Sequence, residues 1–285
     1  MNLFKNMSIT LKISLGFIVF LVMLLVMGGI SVYQLNELNK DLSKVTGELS
    51  QQKQLASDLR SQMAMVINFG NKYVDTGSAS YLSRYNDELK IFDDMLASLE
   101  EKSQNDSQRL NYIKLLKDNV FNYKSHYSEI TANITTRTSV IQTNLIPDDI
   151  IISSNLKRLS ESYKDTGDLT IKTAVDTARI DYLEIRKNSV GYLYTGDFQW
   201  ARDHQWNYDL LMGDMDKVGS LITDENHIIL FKDTSKMLSD YNEQYQVVVE
   251  NYQKQQDIQI NQTDPLEKDI DAEIIKLINS IDDQY

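Results

Sequence analysis

The chain has 285 residues, with 11 Gly, only 2 Pro and no Cys. So few turn formers, against a usual combined share of roughly 12 per cent, argue against a turn-rich β fold, and the missing thiols exclude disulfides, thiolate metal sites and cysteine nucleophiles. A net charge of −12 with a pI near 4.7 argues against nucleic acid as a partner, and any small anion must be held by a local basic cluster set against the overall field.

Ile13 to Val32 is a 20-residue run without a charged side chain, long enough to cross a bilayer at about 1.5 Å per residue. A cleaved signal peptide is the competing reading, but its apolar region is shorter and ends at a small-residue cleavage site, which Tyr33-Gln34-Leu35-Asn36 does not supply. Lys5 and Lys12 precede the run while Glu37 and Asp41 follow it. The positive-inside rule therefore predicts residues 1–12 in the cytoplasm, a membrane helix over 13–32 and the remainder, 33–285, outside.

From Val32 to Val74, apolar residues recur at helical spacing, and the membrane helix is expected to continue into this one. A second helix is predicted from beyond Gly77 to about Lys102, and a third from Asn105-Asp106-Ser107 onward. Pro147 with Asp148 and Asp149 reads either as a helix start or as a kink in one long helix, and Pro265-Leu266-Glu267 poses the same choice. A fourth helix ends at Thr195-Gly196, a fifth runs from Asp197 to about Ile222, and a sixth follows Thr223-Asp224-Glu225-Asn226.

These elements repeat. Lys72-Tyr73-Val74-Asp75-Thr76-Gly77 corresponds to Gly191-Tyr192-Leu193-Tyr194-Thr195-Gly196 at a spacing of 119 residues, with Arg60 matching Arg179 and Tyr81 matching Trp200. After a one-residue slip, Tyr123, Tyr127 and Pro147 match Tyr241, Tyr245 and Pro265, and upstream Thr46–Ser50 resembles Thr166–Thr170. Gly readily takes the left-handed conformation that closes a helix, so each Thr-Gly is expected to be the turn of a helical hairpin. A period this long means two domain-sized halves, since solenoid repeats run only to about 50 residues. If the third and sixth helices span the prolines, the expected fold is all-α. It has two long and four short helices packed as two stacked four-helix bundles: a membrane-proximal module mainly of 33–145 and 265–285, and a distal one mainly of 146–264.

With the opening Leu3-Phe4-Lys5-Asn6-Met7-Ser8-Ile9, the apolar run and the paired Tyr-x-x-Thr-Gly turns, the chain resembles the helical bimodular sensor domain of bacterial methyl-accepting chemotaxis proteins. That resemblance implies a homodimeric periplasmic domain on the inner membrane. It would bind a small organic acid and signal to cytoplasmic partners through a C-terminal region that this sequence, stopping at Tyr285, does not include. An input domain of a sensor histidine kinase, or a docking surface for a periplasmic binding protein, are the alternatives.

Candidate ligand contacts follow from charge and spacing. Arg60 shares a helix face with Met63, Ala64 and Ile67, and a planar guanidinium suits a carboxylate; the plainer reading pairs it with Asp58 or a neighbouring acid. Arg179 and Arg186 stand two helical turns apart, about 10 Å, a spacing fit to grip a di- or tricarboxylate, with Lys187 a weaker member and pairing to Asp176 or Asp181 the plainer account. Tyr123, Tyr127, Tyr241 and Tyr245 form i,i+4 pairs, expected chiefly as core, with Tyr123 and Tyr241 as pocket-lining candidates. His126, His204 and His227 are isolated and do not have metal-ligand spacing. No nucleotide loop or serine elbow occurs, so the expectation is a non-catalytic domain without cofactor or metal.

Overall fold

The computed structural model describes residues 9–164 and 168–283; the Thr166-Gly167 copy and most of the Leu3–Ile9 motif lie outside them. Every regular element among the described residues is helical: α1 (Ile9–Thr76), α2 (Ala79–Lys102), α3 (Ser107–Val140), α4 (Ile146–Ser162), α5 (Leu169–Thr195), α6 (Phe198–Leu221), α7 (Glu225–Ile258) and α8 (Asp264–Asp282). The all-α class follows from the low Gly and Pro content and the long apolar spacings.

α1 is one unbroken helix of 68 residues, so the apolar stretch does run straight into the following helix. That stretch is also the one segment among the described residues long and apolar enough to cross a membrane, and none of its most apolar window is buried.

Both prolines lie in continuous helix, and a π turn accommodates each. Ile141–Leu145 joins α3 to α4, with the Ile146 N–H bonded to the Ile141 carbonyl, and Gln259–Thr263 joins α7 to α8 in the same way through Asp264 and Gln259. A proline cannot donate to the carbonyl four residues back and its ring crowds that group. The five-residue loop widens the coil at this point, so the helix bulges instead of breaking.

The two hairpin turns are built alike. Gly77 and Gly196 have φ of 64° and 65°, and their N–H groups bond to Tyr73 and Tyr192 carbonyls at 2.7 and 2.8 Å. Thr76 and Thr195 each donate to the carbonyl four residues earlier and accept from the N–H two residues on. Thr-Gly is thus a cap in which hydroxyl and glycine together satisfy groups that the ending helix leaves open.

The chain divides into two compact units. The first comprises residues 1–62, 91–114 and 273–285, and buries Ala56 and Leu59 of α1, Phe92, Leu96 and Leu99 of α2, Ile113 of α3 and Ile274, Leu277 and Ile281 of α8. Buried Arg109 donates to the side chain of Gln52, whose amide in turn donates to the Lys102 carbonyl at 2.9 Å, tying the α2–α3 turn to α1. The second unit comprises residues 63–90 and 115–272. One of its cores draws on α4, α5, α6 and α7, with Tyr182, Tyr192, Leu211 and Tyr245 almost wholly buried. Asp168, Asp197 and Asp224 cap α5, α6 and α7 by accepting backbone N–H groups, as N-cap residues do.

Candidate functional site

Two aromatic seams run through the second unit, and they are versions of one another. In the first, Tyr85 of α2 stacks on Tyr127 of α3 with ring centroids 3.9 Å apart, and the Tyr127 hydroxyl donates to the Gly70 carbonyl at 3.0 Å. In the second, His204 of α6 stacks on Tyr245 of α7 at 3.7 Å. His204 lies 119 residues after Tyr85, and Tyr245 lies 118 after Tyr127, so the stack occupies the same place in both halves. Gly70 is small because the tyrosines need the room: a Cβ there would sit 3.1 Å from the Tyr127 ring. Its counterpart, Ser189, uses its side chain instead.

The second seam is polar throughout. Tyr241 donates to Ser189 Oγ at 3.3 Å, Ser189 Oγ meets His204 Nδ1 at 2.9 Å, and His204 Nε2 meets Asn242 Oδ1 at 3.1 Å. Ser189 Oγ also bonds to the Ile185 carbonyl at 3.0 Å, so its single proton serves either that carbonyl or His204 Nδ1. Burial holds the imidazole down at about 4, and it is neutral at ordinary pH. The Tyr245 hydroxyl is buried here without a hydrogen-bond partner among the described residues.

The sequence candidates fall in several places. Arg186 is brought to the end of this seam, but its Nε already bonds to Asp149 Oδ2 of α4 at 2.8 Å. The same carboxylate accepts from the Tyr182 hydroxyl at 2.8 Å, and Tyr182 packs edge-on against Tyr241 at 6.3 Å. Arg186, Tyr182 and Tyr241 therefore form one cluster around a carboxylate that the chain itself supplies. Asp149 comes from another helix, and neither Asp176 nor Asp181 takes that place. Arg179 is exposed on α5 and acts on Asp176, whose carboxylate is held down first by its hydrogen bond from Lys172. Lys187 pairs with Glu184 at 2.8 Å on the exposed face. Arg60 is exposed and belongs to the first unit, with Asp58 beside it bonded to Gln54. Tyr123 is fully buried against Tyr127, its hydroxyl pushed well up by burial.

Sequence reasoning missed Tyr182, Asp149 and His204 as members of a network. Tyr182 was legible as the i,i+4 neighbour of Arg186, but Asp149 reads locally as an acid in the first turn of a helix. Only the packing of α4 against α5 shows what it binds. Half-buried Glu267, pushed up to about 7 by burial and then by Asp264, faces Tyr123 in the first seam and likewise gives no local sign of it. No group of three or more metal-ligating side chains occurs among the described residues. No protein-family model matches the chain, and no curated protein matches it.

Proposed function

We propose that the chain is the ligand-sensing ectodomain of a membrane-anchored receptor of the helical bimodular chemotaxis type. On this reading it lies in the periplasm as two stacked four-helix bundles, binds a small carboxylate and does no chemistry on it. The observation that supports this most is the unbroken helix α1, which ties an apolar, wholly exposed stretch to the same helix that carries Leu59, Val66 and Tyr73 into packed cores. A rigid helix of this kind transmits a small axial or rotational shift.

Arg186 is the ligand candidate that the packing favours. Its side chain is 48% exposed and its Nε is engaged by Asp149, which leaves the Nη donors for a second carboxylate. Homodimerisation fits the same reading. Leu35, Leu38, Leu42 and Val45 are 58%, 61%, 64% and 54% exposed and follow the alternating three-and-four spacing of a coiled-coil seam.

The test is thermal unfolding of the full chain in detergent with acetate, succinate, malate and citrate. At about 100 times its dissociation constant, a bound acid stabilises by about 2.7 kcal/mol, and Arg186→Ala should abolish the shift. The absence of any shift with all four acids would defeat the reading.

A further inference from the structure

The two faces of α5 fare differently under the duplication. Ala178, Tyr182, Ile185, Ser189 and Tyr192 are buried, and so are their counterparts 119 residues earlier, Leu59, Met63, Val66, Gly70 and Tyr73. On the opposite face Ile180, Leu183, Val190 and Tyr194 are exposed. Their counterparts Ser61, Ala64, Asn71 and Asp75 are exposed too, and none of them is a large apolar side chain. The first copy shows what a solvated version of this face looks like, and the second departs from it at all four positions. Single exposed apolar residues are ordinary, but a continuous stripe of them marks a contact surface.

The stripe has an order that names its partner. Ile180, Leu183, Lys187, Val190 and Tyr194 follow the three-and-four spacing of the a and d positions in a coiled-coil seam. In that frame the bundle core takes the c and f positions, Tyr182, Ile185, Ser189 and Tyr192, while the g positions Arg179 and Arg186 and the e position Glu184 stand exposed beside the stripe. Between two parallel α5 helices in register, g of one faces e of the next heptad in the other, so Arg179 of each copy meets Glu184 of its mate. Glu184 already holds Lys187 of its own helix through Oε2 at 2.8 Å, and a carboxylate has a second oxygen for a guanidinium. Lys187 is the one polar residue in the stripe, and a single Lys at an a position fixes register and strand number. An antiparallel pairing about Lys187 would instead set Arg186 against Arg186 and Glu184 opposite Gly191. The first copy cannot form the same ion pair, because Met65 stands where Glu184 does.

We propose that the outer face of α5 is an interface with a second copy of this chain, packed parallel and in register, with the apolar stripe in the seam and Arg179–Glu184 pairs along both edges. The face lies in the second unit, whereas Leu35 to Val45 of α1 lie in the first. It rests neither on that seam nor on a ligand.

The chain has no cysteine, so a single introduced thiol reports on its own position. In the full chain in detergent, Leu183→Cys and Val190→Cys should each give disulfide-linked dimers on mild oxidation, and Lys232→Cys, on the exposed side of α7, should not. Leu183→Glu should weaken self-association at least tenfold in analytical ultracentrifugation with helical content unchanged. Glu184→Arg should weaken it as well, and adding Arg179→Glu should restore it, which a merely apolar contact would not do. Leu38→Cys reads the α1 seam separately. Cross-linking at Leu38→Cys with none at Leu183→Cys overturns the α5 interface and leaves the proposed function standing. Leu183→Cys linking to Val190→Cys in preference to itself shows an antiparallel contact and overturns it too, as does a Leu183→Glu variant that associates like the parent chain.

Discussion

Arg137 of α3 donates from Nη1 to Oε1 of Gln255 in α7 at 2.9 Å, and the two residues are 118 apart, the offset that also relates Tyr123 to Tyr241 and Pro147 to Pro265. Equivalent positions of the two copies therefore touch each other here. The Arg137 guanidinium also lies over the Tyr252 ring, 4.7 Å from its centroid. No carboxylate is paired with it among the described residues, and burial lowers its affinity for the proton. A partly desolvated cation held by an amide and a ring marks the point where the duplicated halves meet.

Removing either partner should therefore destabilise the second unit by about 1–2 kcal/mol, since a hydrogen bond to a charged group contributes roughly 1.5–3 kcal/mol and some is regained from water. Arg137→Ala and Gln255→Ala together should cost less than the sum of the two, with a coupling of about 1 kcal/mol. Denaturant unfolding of the four proteins in the cycle measures it.

The two turn glycines should respond unequally. Both adopt left-handed φ, which costs a non-glycine residue roughly 1 kcal/mol. A Cβ at Gly77 meets only Ile134 Cγ2 at 3.9 Å, but at Gly196 it runs into the hydroxyl end of Tyr252. Gly77→Ala should lower stability by about 1 kcal/mol, and Gly196→Ala by roughly twice that. Adding Tyr252→Ala to the Gly196 variant should recover part of the excess, as measured by thermal unfolding.

Equivalent tyrosines should give opposite signs. Tyr127→Phe deletes the hydroxyl bonded to the Gly70 carbonyl and should destabilise by about 1 kcal/mol. Tyr245→Phe deletes a buried hydroxyl that has no partner among the described residues; it should be neutral or stabilising by up to about 1 kcal/mol. Chemical denaturation midpoints of the two variants decide this.

His204 makes stability depend on acid. Its folded pKa is depressed to about 4 by burial, whereas the unfolded chain titrates near about 6.5. Its contribution is fully present above about pH 6.5 and is lost as pH falls through about 4, an effect on the order of 3 kcal/mol. His204→Phe, which keeps the stack on Tyr245, should flatten this part of the pH–stability curve. An unchanged slope between pH 6.5 and 4 would exclude His204 as its source.

The helices, their ends and the duplication were legible in the sequence because each rests on local chemistry: apolar spacing, low Gly and Pro content, and a Thr-Gly pair whose hydroxyl and backbone cap a helix unaided. The 119-residue spacing likewise pointed to helix-closing turns at Gly77 and Gly196, whose φ values are 64° and 65°. What Pro147 and Pro265 do was not legible, since a proline removes one hydrogen bond whether the helix breaks or bulges. Packing on both sides of the π turns decides it. Nor were the partners of charge. Arg186 finds Asp149 and Arg137 finds Gln255 on other helices, 37 and 118 residues away in the sequence. Side chains several ångströms long select partners by the register of packed helices, and that register is a property of the whole core.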